Sequence, residues 1–307
     1  MSMRTAQILT VALVATMVSA VLTTVGCEGD KVQPSSTAPK VAKTPAPAKT
    51  AEPAKTAAVK TAEPAKTAKT AEPTKTAAAV KTASPVAFEA FAKTATVPAM
   101  FVPLVSAAPT VDGTMDAAYA KCKPGTFKFL AGGDTKPTAA TTVWAVSTKT
   151  DLYVFFKCES PDMDSLLKDV REHDGSVWND DSVEIFIDPT DKREIDGYSH
   201  IAANAIGTTA ESRGAAGAED YSWDPKVKVK NVIGKKDWTV EIAIPFADLV
   251  KDTAKINKIW AANFNRMAFL IDGNEDTAWS PTGGTSSHVP DKFGALWIEA
   301  GSVDNSK

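Results

Sequence analysis

Large aliphatic and aromatic side chains are almost missing between Glu28 and Phe88. A segment with so little apolar area to bury cannot repay the entropy of ordering its backbone, so no folded domain is expected there. Long hydrophobic runs are lacking too. The apolar stretch from Ile8 to Val25 is short and broken by Thr and Ser, which suits the h-region of a signal peptide after Arg4 better than a membrane span. Cysteine is scarce, with only Cys27, Cys122 and Cys158, and no Cys/His spacing of a zinc site is present. The three histidines, His173, His200 and His288, have no nucleophile elbow or cysteine partner in the sequence. No stretch carries a catalytic signature, and catalysis is not expected.

What is present divides the chain in three. Residues 1–27 form the signal segment, whose end, Thr24-Val25-Gly26-Cys27, resembles the lipobox of bacterial lipoproteins. The resemblance implies lipidation of Cys27 and attachment to the bacterial cell envelope. Thr24 departs from it, since that position is usually Leu, and ordinary cleavage nearby into the periplasm or medium is the other reading. Residues 28–100 repeat Thr-Ala-Glu-Pro at Thr50, Thr61 and Thr70 at irregular spacing, which excludes a solenoid. Their prolines favour extended stretches, and the segment reads as a disordered, semi-stiff tether. Residues 101–307 are long enough for one sizeable core.

Charge follows the same division. Residues 28–100 hold 11 lysines against 6 acids, while residues 101–307 hold 22 Lys and Arg against 31 acids. An acidic folded domain argues against nucleic acid as a partner, because phosphate affinity depends on clustered cations. In an oxidising compartment Cys122 and Cys158 could form a disulfide or stay free.

The pattern from residue 101 onward is β. Thr142–Ser147 and Leu152–Phe156 flank a Lys-Thr-Asp turn and read as a hairpin. Ser182–Asp188 alternates and stops at Pro189. Further strand-like runs are His200–Ala205, Val227–Val232, Trp238–Ile244, Ile259–Phe264 and Ala295–Ile298, with one short helical turn after Pro245. Many short strands with little helix predict an all-β, antiparallel, jelly-roll-like sandwich. Period-two alternation puts Val183, Ile185 and Ile187 on the core side and Ser182, Glu184 and Phe186 on the other.

Val111-Asp112-Gly113 with Asp116, then Trp178-Asn179-Asp180-Asp181-Ser182-Val183-Glu184, then Glu241-Ile242-Ala243-Ile244-Pro245-Phe246, and finally His288-Val289-Pro290 with Phe293-Gly294, occur in an order that resembles the family 9 carbohydrate-binding modules and their DOMON-like relatives. The resemblance spans about Pro109 to Ile298. It implies a non-catalytic carbohydrate binder in which two tryptophans sandwich a sugar, with Trp178 as the first. Trp279 is the choice for the second and Trp223 the fallback. It also implies a hydroxyl-binding acid at Glu184 and a binding arginine, matched loosely by Arg213; Asp276 or Asn274 would add a polar contact. Such groups suit sugars, whose apolar faces stack on aromatic rings and whose hydroxyls take charge-assisted hydrogen bonds. The density of Asp112, Asp116, Asp180, Asp181 and Asp188 admits a structural calcium ion, which the family often carries. His200 reads as structural or surface, and His288 as a residue that orders a loop. Two rivals stand beside the carbohydrate reading: a haem-binding electron-transfer module using Met267 and His288, which is disfavoured, and an adhesive module that binds another protein.

Overall fold

The computed structural model describes residues 85–215 and 218–301. The signal segment, Cys27 and residues 28–84 lie outside the described residues. In chain order, helix α1 (Pro85–Thr94) precedes β1 (Ala99–Val102), β2 (Gly125–Thr126), β3 (Lys128–Phe129), β4 (Thr141–Ser147) and β5 (Asp151–Glu159). β6 (Ser182–Asp188), β7 (Ser199–Asn204), β8 (Thr209–Ala215), β9 (Ala218–Asp220) and β10 (Lys228–Ile233) follow. β11 (Asp237–Pro245), the short helix α2 (Phe246–Leu249), β12 (Ile259–Ala268), β13 (Glu275–Ala278) and β14 (Gly294–Ile298) complete the order. Among the described residues no helix is long and apolar enough to cross a membrane.

The strands make two sheets. One runs β1-β14-β12-β6-β7-β8-β9, with β13 and β3 attached beside β12; the other runs β10-β11-β5-β4-β2. Every pairing is antiparallel except β1 with β14. Alternation gives each strand one face for the shared core. β6 and β12 contribute Val183, Ile185, Ile187, Ala262 and Phe264 from one side, and β5 and β11 contribute Val154, Phe156, Trp238, Val240 and Ile242 from the other. Each such Val, Ile or Phe, fully buried, stabilises by about 1.5–3 kcal/mol.

Arg266 breaks the apolar pattern. It pairs with Val183 in register and therefore points inward, with no exposed surface. Its Nη1 donates to the carbonyl of Glu159 at 2.8 Å and reaches Thr141 Oγ1 at 3.2 Å, so it ties its own sheet to the ends of β4 and β5. Asp181 lies 3.8 Å from Nη2, and the guanidinium sits 5.6 Å from the centre of the Trp238 ring.

Two expectations change and one open alternative is resolved. Ordered structure is already present over Pro85–Thr94, ahead of residue 101. Phe88 and Phe91 of α1 lie 6.3 and 5.3 Å from the Trp297 ring, whose exposed side they cover. Cys122 and Cys158 are both buried and free, and burial pushes their thiols up, to about 11 and about 12. Cys122 Sγ accepts from Ala145 N at 3.4 Å, while Cys158 points into the core from β5. Strands β1, β2, β3, β8, β9 and β13 were not predicted. β8 and β13 are polar in composition and become strands because β7 and β12 offer them a ladder.

The Val-Asp-Gly motif has a clear structural task. Glu241, on the outward face of β11, accepts Asp112 N at 3.0 Å, Gly113 N at 3.1 Å and the Tyr119 hydroxyl at 2.9 Å. Gly113 has φ +81°, and a Cβ there would come within 2.9 Å of the Asn231 backbone, so only glycine fits this close approach. The chain is thereby clamped over the outward face of the five-stranded sheet.

Candidate functional site

The outward face of the nine-stranded sheet is open over β6, β7, β8, β9 and β13. A cavity of about 350 Å³ lies there, lined by Trp178, Glu184, His200, Glu219, Asp276 and His288, with Tyr221 and Met267 also contributing. A larger cavity, about 460 Å³, opens beside Leu270–Glu275 and includes Asn274. Its Glu275 carboxylate already accepts Thr138 N and Ala139 N, both at 2.8 Å.

Trp178 sits half-buried in a single 3-10 turn, Val177–Asn179, just before β6. The acids that follow fix this loop. Asp180 accepts Asp169 N at 3.0 Å, Val170 N at 2.9 Å and Asn204 Nδ2 at 2.8 Å, and Asp181 accepts Leu167 N at 2.9 Å. Those two carboxylates hold the backbone around the tryptophan. Asp188, at the other end of β6, takes Thr190 N and Arg193 N, both at 2.8 Å. Asp112 takes Thr114 N at 2.7 Å, and Asp116 takes Ala118 N at 2.8 Å. Asp180 and Asp181 thus serve one loop and Asp112, Asp116 and Asp188 their own turns, and among the described residues these five acids form no common ligand group.

Glu184 points outward as its alternation requires, and its Oε2 lies 3.1 Å from His200 Nε2. The other nitrogen of His200, Nδ1, lies 3.3 Å from Glu219 Oε1. Burial alone would lower the His200 pKa, but hydrogen bonds to the two glutamates overturn that and hold it at about 9. His200 is then a cation between two carboxylates at neutral pH. Its ring stacks on Phe186, with centroids 4.3 Å apart. Glu219 is pulled down to about 2, first by His200, with help from Ser212 and Tyr221. Asp276, opposite Met267 on the same face, is pushed up to about 7 by burial and by the charge of Glu184. The Tyr198 hydroxyl lies 2.8 Å from His288 Nδ1, which anchors the loop ending in the His-Val-Pro motif. Asn263 binds the same loop at its start, through Ser280 N at 2.9 Å and Ser280 O at 2.8 Å.

Of the predicted site residues, the structure brings Trp178, Glu184 and Asp276 together. Trp279 is elsewhere: its ring is buried in the core against Phe264. It packs over Gly125 and Gly294, whose missing Cβ atoms leave it room. Arg213 also lies outside the cavity. Ser212 faces the cavity and bonds Glu219 at 2.7 Å, so the next residue on β8 must point the other way. There the Arg213 guanidinium lies 4.4 Å from the Trp223 ring and donates to Ser199 Oγ and to the Asp248 carbonyl. That also removes Trp223 as the second tryptophan, and one tryptophan lines the cavity. His200, Glu219 and Tyr221 were missed, and His288 was named as a ligand only for the haem alternative. Only the outward phase of β7 could have hinted at His200; Glu219 and Tyr221 come from a short polar edge with no pattern of its own.

An antiparallel sandwich with an aromatic wall and a floor of acids on one sheet defines a ligand-binding module. Residues 111–300 match the carbohydrate family 9 binding domain-like model, and the chain belongs to that family. Among solved structures, a Bacteroides uniformis ATCC 8492 protein provisionally described as carbohydrate-binding is 18% identical, with a TM-score of 0.53 over 66% of this chain and 99% of its own. A family 9 carbohydrate-binding module from Caldicellulosiruptor kristjanssonii, in complex with cellotriose, is 18% identical, with a TM-score of 0.50 over 68% of this chain and 97% of its own. The same module with glucose gives 17% identity and 0.50, over 68% and 98%. These likenesses establish the shared fold. No curated protein matches the chain.

Proposed function

We propose that this chain is an exported, lipid-anchored, non-catalytic carbohydrate-binding protein that captures plant-type or envelope polysaccharide, or its ends, in the Trp178 cavity. The observation that carries this reading is the convergence of one half-buried tryptophan with Glu184, Glu219 and Asp276 around a single opening. A pyranose face stacks on the indole, and its hydroxyls reach the fixed carboxylates, which accept stronger hydrogen bonds than neutral groups do. The glucose and cellotriose complexes of the Caldicellulosiruptor module support the choice of ligand class. With a single tryptophan the sugar is held on one face, and Tyr221, 45% exposed at the rim, is the other large ring available. Lipidation at Cys27 and a role for residues 28–84 as tether belong to the same reading.

Calorimetric titration of the full chain with glucose, cellobiose and xylo-oligosaccharides is the test. Saturable binding that weakens at least tenfold in Trp178→Ala supports the proposal. No heat with any of these sugars from a folded, colourless protein would move the reading to a protein-binding envelope module. Met267 and His288 do line the same cavity, so the haem reading keeps an observation in its favour. A Soret band in the purified protein would establish it in place of the sugar. The separated pKa values of Glu219 and Asp276 are of the kind a glycosidase uses, so the titrated sugars are also assayed for newly released reducing ends. None is expected.

A further inference from the structure

We infer that His200, Glu219 and His288 form a binding site for a divalent transition-metal ion of the zinc class in the wall of this cavity. His200 Nδ1 and His288 Nδ1 lie 3.3 and 3.6 Å from the same oxygen, Glu219 Oε1, and the three donor atoms all fall within 4.8 Å of one another. Ligands bound tetrahedrally at about 2.0–2.2 Å from an ion stand about 3.3–3.6 Å apart, so the two measured spacings match what the ion requires. Two imidazoles with one carboxylate select a borderline ion over calcium, which asks for an all-oxygen shell.

Each donor is also held from behind. His200 Nε2 is bound to Glu184 Oε2 at 3.1 Å, the carboxylate–histidine pairing that fixes ring orientation in metal sites. Glu219 is held by the Ser212 hydroxyl on Oε1 and by the Tyr221 hydroxyl on Oε2, both at 2.7 Å. The Tyr198 hydroxyl, 2.8 Å from His288 Nδ1, is the group an ion would displace from that nitrogen. Without metal, a proton on His200 Nδ1 faces Glu219. The ion takes the place of that proton, which leaves to solvent. These residues come from β7, β9 and a loop more than sixty residues further on, so no motif in the sequence marks them.

Among the described residues one other group of this kind occurs, His173 with Asp174 and Glu211. Its imidazole is half-exposed and bonds two different carboxylates, 3.2 and 2.8 Å away, and it brings a single imidazole rather than two to its group. It serves as the control.

The test is titration of the full chain with Zn²⁺ by calorimetry and with Co²⁺ by visible absorption, without sugar. The inference stands on geometry and not on the carbohydrate reading, so either can fail alone. One saturable equivalent, with the intense d–d bands of four-coordinate cobalt, is expected. Affinity should fall at least tenfold in His288→Gln and in Glu219→Gln and stay unchanged in His173→Ala. Circular dichroism of each variant confirms that it folds. Absence of saturable binding by the folded chain, or binding lost in His173→Ala but kept in the other two variants, overturns the inference.

Discussion

Glu241 and Glu184 occupy equivalent places on the two sheets, each at an outward-facing position of an interior strand, and they do different work. Glu241 has no exposed surface, because residues 111–119 lie over it and spend its carboxylate on two backbone amides and a tyrosine hydroxyl. Glu184 is also mostly buried, but among the described residues its carboxylate bonds only His200, and it borders an open cavity. The same alternation produced both. What lies above each sheet turned one into a clamp and left the other available to a ligand.

The largest effect should come from breaking the clamp. Glu241→Ala leaves Asp112 N, Gly113 N and the Tyr119 hydroxyl without their acceptor, and each buried unsatisfied group costs about 1–3 kcal/mol. A loss of at least about 3 kcal/mol in urea denaturation is expected, with sugar affinity unchanged in the folded protein. A denaturation midpoint equal to that of the parent would remove the distinction between the two glutamates. Glu184→Gln should do the reverse: sugar affinity falls about tenfold, close to 1.4 kcal/mol, with little change in the midpoint.

The remaining effect concerns acidity on the open side. Asp276 is raised from 3.8 to about 7 in the fold, so the native state keeps a proton that the unfolded chain releases. Its contribution is present below the unfolded pKa and is lost as pH rises through about 7. Stability should therefore decline across that window, and Asp276→Asn should flatten that part of the profile. Urea midpoints at several pH values compare the two proteins. Parallel profiles would place Asp276 in an ordinary aqueous setting.

Much of the fold was legible because it rests on local pattern. The hairpin of β4 and β5 and the runs that became β10, β11, β12 and β14 are marked by β-branched, aromatic and other apolar residues, and β6 by its alternation. Trp178 was legible for a related reason, since a tryptophan in a polar segment before a strand has no core of its own to enter. Trp279 was misread on that same criterion. Its flanking Thr, Ala, Ser and Pro look like a loop, but two distant glycines open the space it fills. Arg213 was placed by motif spacing, and the phase of β8, invisible in its polar composition, turned it to the wrong face. Helix α1 was absorbed into the tether because its two phenylalanines find a partner, Trp297, only at the far end of the chain.

The sequence by itself determined which segments become strands and which side of each strand is apolar, because side-chain alternation and burial act over a few residues. It also determined that residues 28–84 carry too little large apolar surface to build a core. The tertiary structure alone decided which outward face is covered and which buried acid keeps a free edge. It also decided that His200, Glu219 and His288 meet. Those outcomes depend on contacts between residues far apart in the chain, where a neighbour's missing Cβ or the register of an edge strand settles what a side chain can reach.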